Sequence, residues 1–104
     1  MANYVLAYTG GGMAESQAEQ EKAMGDWMNW FGALAEAVVD GGSPFGPAST
    51  ISPTGAVSDG GSSGLSGYSI ISADSLSDAV DKAKGCPVLA NGGSVEVYEV
   101  MPIG

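Results

Sequence analysis

Two short segments of the chain are apolar at consecutive positions, and they constrain its fold more than any other feature. Val5-Leu6-Ala7 lies in a run of strand-forming residues from Tyr4 to Tyr8, and Ile70-Ile71 lies in a second run from Ser66 to Ala73. Successive side chains of a strand point to opposite faces of a sheet, so these strands place apolar groups on both faces. The sheet that they form therefore needs a cover on each side.

Two segments have helical periodicity. The first predicted helix runs from Ala14 to Val39 and ends at Asp40-Gly41-Gly42, because glycine commonly terminates helices. Its apolar residues recur at intervals of three and four, at Met24, Trp27, Phe31, Leu34 and Val38. The second begins after Ser75, a predicted N-cap with Asp78 three residues later, as in a capping box. We expect it to end at Gly85, with Pro87 blocking its continuation.

The remaining strands complete a single domain of residues 1–104. Residues 40–67 are rich in Gly, Ser and Pro, and we expect one interrupted strand there, with Pro53-Thr54-Gly55 as a turn or bulge between Ala48–Ile51 and Ala56–Val57. The last strand is predicted from Val95 to Met101. The order β-α-β-β-α-β indicates a ferredoxin-like α+β fold, a four-stranded antiparallel sheet with two helices on one face. We expect a second copy to cover the other face, giving a homodimeric α+β barrel.

The charge of the chain excludes several classes of partner. Three Lys, no Arg, no His and twelve acidic residues give a net charge of −9. Nucleic acids and anionic membrane surfaces require a cationic patch, so neither is an expected partner. No apolar stretch is long enough to span a bilayer, and no signal peptide is recognisable. The lone Cys86 cannot form an intramolecular disulfide, which is typical of a cytoplasmic protein.

Carboxylates and phenols are the candidate catalytic groups. Asp40 follows the first predicted helix, where partial burial would raise its pKa and make it a general base. The alternative is that it bonds backbone N–H groups in an Asx turn. Tyr68 is the predicted partner of Asp40 in proton transfer, and Tyr8 lies on a neighbouring predicted strand; either phenol could instead pack in the core. Asp59 is a possible second carboxylate, although an acid before Gly60-Gly61 is also typical of a turn.

The ligand-binding candidates are mainly aromatic. Trp27 and Trp30 lie one turn apart and, with Met24 and Met28, could form the wall of an adaptable apolar pocket. Trp30 is the better pocket candidate, because Trp27 belongs to the main apolar stripe. The predicted ligand-binding residues are Tyr8, Trp27, Trp30, Ser43 and Asp59.

No cofactor or metal site is predicted. The Gly10-Gly11-Gly12 run lacks the Lys-Ser/Thr end of a phosphate-binding loop, and a flexible connector is the simpler interpretation. No cluster has the ligand spacing of zinc or iron sites. Cys86 has no basic partner in the sequence and is interpreted as a buried, unreactive thiol.

Short segments in a fixed order cover nearly the whole chain: Tyr4-Val5-Leu6, Trp27 to Phe31, Val39 to Pro47, Ser58-Asp59-Gly60, Gly67 to Ile71, Ala73 to Ala79, Gly85-Cys86-Pro87 and Gly92 to Val97. Together they resemble the YCII-related family, also called the DGPF domain. The resemblance implies the dimeric α+β barrel. Most members have no assigned activity, while some related proteins are similar to lyases or dehydrochlorinases with a proposed catalytic His–Asp pair.

This chain departs from the family at two points. Asp59-Gly60-Gly61-Ser62 stands where the family has Asp-Gly-Pro-Phe, and the chain contains no His, so a mechanism through an imidazole is excluded. The sequence therefore favours a protein that binds a small neutral apolar or aromatic molecule between the sheet and the first helix. The alternative is a cofactor-independent lyase or isomerase that uses Asp40 and a tyrosine. A third hypothesis, an interaction module using residues 40–67, rests on composition alone.

Overall fold

The computed structural model describes residues 2–10 and 16–102, which form six strands, three α-helices and one 3₁₀ turn. The elements are, in chain order, β1 (Ala2–Thr9), α1 (Gln17–Leu34), a 3₁₀ turn (Ala35–Ala37), β2 (Val38–Pro44), β3 (Ser49–Ile51), β4 (Val57–Asp59), β5 (Leu65–Ala73), α2 (Leu76–Ala83), α3 (Pro87–Ala90) and β6 (Ser94–Glu99). The predicted start of the first helix at Ala14, and Gly11-Gly12, lie outside the described residues.

The main sheet has four antiparallel strands in the order β2-β5-β1-β6. The protein is therefore α+β with a four-stranded antiparallel sheet, in agreement with the prediction. β1 and β5 are its central strands, and their register pairs Tyr4 with Ile71 and Leu6 with Ser69. The long β-branched and aromatic runs occupy the centre of the sheet, where both edges of a strand are hydrogen-bonded.

The second strand of this sheet lies ten residues earlier in the chain than predicted. The first helix ends at Leu34 rather than at Val39, and Ala35 beyond it has a φ of 51°. Val38 then pairs with Ile71 of β5, so residues 38–44 form an edge strand. The β-branched Val38 and Val39 favour strand over helix, and the ladder hydrogen bonds to β5 outweigh the helical spacing of the apolar residues.

The segments predicted to form one interrupted strand are instead two strands that pair with each other. β3 and β4 form a separate two-stranded sheet in which Ile51 pairs with Val57. The turn between them is closed by the Ser52 N–H, which donates to the Ala56 carbonyl at 2.8 Å. Pro53-Thr54-Gly55 therefore reverses the chain, because a full turn with Gly55 at a φ of 87° forms there instead of a bulge.

The second helix begins as predicted, because Ser75 Oγ accepts a hydrogen bond from the Asp78 N–H at 3.1 Å. The Asp78 carboxylate in turn accepts from the Asp74 N–H at 3.0 Å. Helix α2 ends at Ala83, two residues before the expected end at Gly85, and Pro87 occupies the first turn of the separate helix α3, where its missing N–H leaves no bond unmade. The predicted last strand, Val95 to Met101, is observed at Ser94–Glu99.

The hydrophobic core lies between the sheet and the helices. From the sheet it contains Tyr4, Leu6, Tyr8, Ile71 and Ala73, and from the helices and their connections Trp30, Ala79, Ala83, Cys86 and Val88. The small side chains of α2 allow that helix to lie close to the sheet. Leu76 and Val80, whose helical spacing with Ala79 and Ala83 would predict one buried apolar stripe on α2, are exposed.

Within residues 2–10 and 16–102, no second layer covers the opposite face of the sheet. We call it the open face, and its central side chains are Val5, Ala7, Tyr68, Ile70 and Tyr98, which share one side by strand alternation and register. The molecule measures 44 × 43 × 19 Å, a thickness that fits one sheet and one helical layer. None of the helices within the described residues has the length and apolar character needed to cross a membrane.

Candidate functional site

A cavity of about 450 Å³ lies between α1 and the sheet. Helix α1 contributes Met24, Trp27, Met28 and Phe31 to its lining. The remaining lining residues are Tyr8, Gly41, Gly42, Ser43, Pro44, Ser66, Gly67, Tyr68, Ser69 and Val88. None of these residues carries a charge, so the cavity is suited to a neutral and largely apolar molecule.

The cavity exists because glycines occupy the sheet beneath a helix that carries bulky side chains. Gly41 and Gly42 of β2 and Gly67 of β5 leave no side chains to fill the space, while Trp27 and Phe31 hold α1 away from the strands. At Gly42 only glycine fits, because its φ is +74° and a Cβ there would lie 1.7 Å from the Tyr68 carbonyl oxygen. The same glycine forms the bulge between Asp40 and Ser43 in β2.

Aromatic rings form the helical wall of the cavity. The Trp27 ring meets the Tyr8 ring edge to face, with centroids 5.2 Å apart and an interplanar angle of 69°. Phe31 lies 5.8 Å from Trp27 on the same wall. Met24 and Met28, 65% and 70% exposed, lie at the rim. Rigid rings inside and flexible thioethers at the rim suit a planar apolar ligand that enters past the methionines.

A chain of hydroxyl hydrogen bonds runs along the floor of the cavity. Tyr8 Oη donates to Ser69 Oγ at 2.7 Å, and Ser69 Oγ donates to the Gly41 carbonyl at 2.7 Å. Ser69 is fully buried, so this chain satisfies a polar group that burial would otherwise penalise. Burial also raises the pKa of Tyr8 well above its usual value of 10, and the phenol is therefore neutral at physiological pH.

Asp40 and Tyr68 are brought together, but not at the floor of the cavity. Tyr68 Oη donates to Asp40 Oδ2 at 3.4 Å, and the ring of Tyr68 stacks on Phe45 with centroids 5.8 Å apart. Strand alternation directs the Tyr68 side chain to the open face, while its neighbours Gly67 and Ser69 face α1. Tyr68 belongs to the cavity lining, but its contact with Asp40 lies on the side of the sheet opposite Tyr8 and Trp27.

Asp40 differs from the prediction in position and in burial. It lies within β2, not at the end of a helix, and it is exposed rather than partly buried. Asp40 Oδ1 accepts a hydrogen bond from the Gly42 N–H at 2.8 Å, across the bulge. This is the Asx-turn role that the sequence left open, and it gives the carboxylate a structural function in shaping the cavity edge.

The other predicted ligand-binding residues are divided among several places. Ser43 and Trp27 line the cavity, as expected for a ligand site. Trp30 was the preferred pocket residue, but it lies outside the cavity: it is buried, and its Nε1–H donates to the Lys82 carbonyl at 3.1 Å. Asp59 is exposed at the end of β4 and is not part of the cavity lining, while the Asp40 carboxylate bonds Gly42 and Tyr68.

Cys86 is a buried thiol beside the floor of the cavity. Burial raises its pKa from 9.0 to about 11, which leaves the thiol protonated at neutral pH. The Tyr8 hydroxyl is one of its hydrogen-bonding neighbours. Among residues 2–10 and 16–102 there is no group of three or more His, Cys, Asp or Glu side chains that could hold a metal ion.

All three lysines are engaged in ion pairs within their own helical segments. Lys22 pairs with Asp26 at 2.8 Å, Lys82 with Asp78 at 2.6 Å, and Lys84 with Asp81 at 3.3 Å. None of them lines the cavity, so an anionic ligand would find no counter-charge there.

Sequence reasoning missed Ser69 and the glycines of the cavity. A signal is present in the sequence, because Gly67 and Ser69 are small residues at alternate positions of β5 and therefore share one face of the sheet. Their cross-strand partners on β1 are Tyr8 and Leu6. Their importance depends on which face the helix covers, and on Gly41 being in a strand.

No protein-family model, curated protein or solved structure matches the chain.

Proposed function

We propose that the protein binds a small, neutral, apolar or aromatic molecule in the cavity between α1 and the sheet. The observation that carries the proposal is the lining of the cavity of about 450 Å³, which combines aromatic and thioether side chains with buried hydroxyls and has no charged residue. Burial of apolar surface is the driving force for such a ligand, at about 25 cal/mol per Å². A charged ligand would lose its hydration without gaining a partner.

The test compares naphthalene with 1-naphthoate, which share a ring system and differ in charge. We expect naphthalene to bind saturably, to change the tryptophan emission through Trp27 and to raise the melting temperature, whereas 1-naphthoate binds at least about tenfold more weakly. Absence of saturable binding by naphthalene and by other neutral aromatic compounds would contradict the proposal.

A matched pair of variants locates the binding. In Gly41→Val the new side chain extends toward Phe31, since a Cβ at Gly41 lies 4.0 Å from Phe31 Cζ, and it fills part of the cavity. Gly46→Val adds the same side chain where a Cβ meets nothing within 4 Å. We expect Gly41→Val to weaken naphthalene binding by about tenfold or more and Gly46→Val to leave it within about twofold. Equal affinities in the two variants would place the site elsewhere.

A second copy of the chain is the proposed cover of the open face, giving the dimeric α+β barrel of the YCII-related family that the sequence resembles. Three observations support it: the strand order β2-β5-β1-β6 is compatible with a ferredoxin-like βαββαβ fold that carries β3–β4 as an insertion, the open face is apolar at its centre, and no layer of the described residues covers that face. Membership of that family is part of the same proposal.

Sedimentation at micromolar concentration tests the dimer. We expect twice the chain mass of 10.3 kDa for the protein, and a monomer for Ile70→Lys, which places a charge at the centre of the open face. Leu89→Lys makes the same change on α3, on the other side of the molecule, and is expected to remain dimeric. A monomeric parent protein would contradict this proposal without affecting the ligand site.

Proton transfer by a cofactor-independent lyase or isomerase is the second candidate function. Its specific support is the hydrogen bond from Tyr68 Oη to Asp40 Oδ2, which joins a possible base to a possible acid. Because this pair lies on the open face, its substrate would bind there, between subunits of the proposed dimer. Deuterium exchange of the acetophenone methyl group tests it: Asp40→Asn retains an acceptor for the Gly42 N–H and should fold, yet should abolish exchange. Equal exchange in this variant would eliminate the candidate.

A further inference from the structure

We infer that the cavity floor selects ligands that donate a hydrogen bond over ligands of the same shape that only accept one. The inference rests on the proposed ligand-binding function and specifies the chemistry of its ligand. Its basis is the direction of the hydrogen bonds made by the floor hydroxyls, two of which belong to residues that are more than nine-tenths buried, Tyr8 and Ser69.

Each hydroxyl of the cavity floor already donates its hydrogen bond to an acceptor of the protein. The Tyr8 proton goes to Ser69 Oγ, the Ser69 proton to the Gly41 carbonyl, and the Ser66 proton to the Tyr8 carbonyl at 3.2 Å. A hydroxyl has one proton and two lone pairs, so these groups offer a ligand only acceptor sites. Tyr8, Gly41 and Ser66 line the cavity and place these acceptors along its surface, while the fully buried Ser69 holds the Tyr8 proton from beneath.

Neighbouring groups leave this polarity in place. The Cys86 sulfur is a weaker alternative acceptor beside the Tyr8 hydroxyl, whose single proton the 2.7 Å contact assigns to Ser69 Oγ. Burial keeps the Tyr8 phenol neutral, so its acceptor character does not depend on ionisation. Trp27 adds an indole N–H on the helical wall. The preference of the floor is therefore tested through Ser69, whose removal leaves that wall unchanged.

Ser69→Ala should reverse the polarity of the floor. Without Ser69 Oγ the Tyr8 hydroxyl loses the acceptor that holds its proton, and it becomes free to donate to a ligand. In the native protein we expect the floor to favour ligands that donate a hydrogen bond, such as a phenol, an indole or an alcohol. In Ser69→Ala we expect a ketone or an ether to gain affinity. An inverted preference after loss of one hydroxyl distinguishes this mechanism from a general change in cavity size.

The experiment uses three bicyclic probes of similar size: indole, which donates; 1-indanone, which accepts; and indene, which does neither. Dissociation constants are measured for the native protein and for Ser69→Ala. We expect the native protein to bind indole about tenfold more tightly than 1-indanone, and this ratio to fall by about tenfold or more in Ser69→Ala. An unchanged ratio, or a native preference for 1-indanone, would overturn the inference.

Two further readouts keep the outcomes distinct. Indene binding depends on apolar burial alone, so its absence would count against the proposed function, whereas similar affinities for all three probes would count against this inference only. If Ser69→Ala does not fold, Tyr8→Phe replaces it. Because Tyr8 donates to Ser69 and not to the ligand, 1-indanone should bind Tyr8→Phe as well as it binds the native protein. A loss of 1-indanone affinity in that variant would overturn the inference.

Discussion

The hydroxyl of Tyr8 donates to Ser69 Oγ at 2.7 Å, and this bond runs diagonally across the two central strands. The register partner of Tyr8 is Gly67, while that of Ser69 is Leu6. Diagonal neighbours of this kind are within reach of a tyrosine side chain. A Cβ at Gly67 would meet Tyr8 Cδ2 at an ordinary contact distance of 3.5 Å, whereas it would lie only 3.1 Å from the Ser43 carbonyl oxygen, so the close approach at Gly67 is to β2.

Addition of a single methyl group to Gly42, at the bulge of β2, should destabilise the protein. In Gly42→Ala the new Cβ would lie 1.7 Å from the Tyr68 carbonyl oxygen, so the bulge must rearrange. We expect a loss of more than about 3 kcal/mol of unfolding free energy in urea, or no folding.

Gly60→Ala separates this clash from backbone strain alone. Its φ of +84° is similarly unfavourable for alanine, but nothing lies within 4 Å of the added Cβ. The expected loss is about 1 kcal/mol. Equal losses in the two variants would mean that the close approach of Gly42 to β5 does not contribute.

A second glycine allows Trp30 to pack against the loop after α2. A Cβ at Gly85 would lie 3.0 Å from Trp30 Cδ1 and 3.2 Å from Nε1, the atom that donates to the Lys82 carbonyl. Gly85→Ala should therefore cost about 1–2 kcal/mol and shift the tryptophan emission. Gly25→Ala, in α1 with open space around the Cβ, should instead raise stability by about 0.5–1 kcal/mol, since alanine is the better helix former.

The N-cap of α2 gives a third prediction. Ser75→Ala removes the acceptor for the Asp78 N–H and should lower the unfolding free energy by about 1 kcal/mol. Amide hydrogen exchange in the first turn of α2 should increase at the same time. Ser77→Ala, within the same helix at an exposed position, is the control and should leave exchange unchanged or slower. Matching effects of the two changes would contradict the role of Ser75.

Alkaline pH should destabilise the protein through Cys86. Burial raises the pKa of this thiol from 9.0 to about 11, so the unfolded chain releases its proton at lower pH than the folded one. The contribution to stability is therefore complete below pH 9 and is lost as the pH rises toward about 11. The midpoint of urea unfolding should fall over this range.

Cys86→Ala checks the assignment, because it removes the thiol and should flatten the pH dependence between pH 9 and about 11. A residual decline above pH 10 is expected from Tyr8, whose pKa is also raised by burial. If the variant and the parent protein lost stability in parallel, the thiol would not be the group responsible.

The central strands and the second helix could be predicted because their signals are local. Each signal lies within or next to the element that it predicts: an apolar run for β1, another for β5, and the Ser75 cap for α2. The structure contains all three elements. The prediction of β2 failed because Val38 and Val39 satisfy both a helical spacing and a strand preference. Pairing with β5 decides between them, and a single sequence contains no record of that pairing.

The residues of the cavity show the same division. Trp27, Tyr8 and Ser43 could be selected from their residue types and positions, and all three line the cavity. Asp40 and Tyr68 were expected in the same cleft, but the alternation of β5 and the bulge at Gly42 place their side-chain contact on the other face. The sequence favours Trp30 over Trp27 as a pocket residue, because a residue of the apolar stripe is usually buried. In the structure the cavity lies beneath α1, so Trp27 lines it and Trp30 is the buried residue.

The sequence by itself determined the net charge of −9, the α+β class of the fold and the lack of an imidazole, because these follow from residue types and local periodicity. Only the tertiary structure decided that a cavity exists and that hydroxyl groups are hydrogen-bonded in series along its floor. Both depend on glycines and hydroxyls from β1, β2 and β5 that are distant in sequence, and the space left by a missing side chain becomes a site only when another element lies above it.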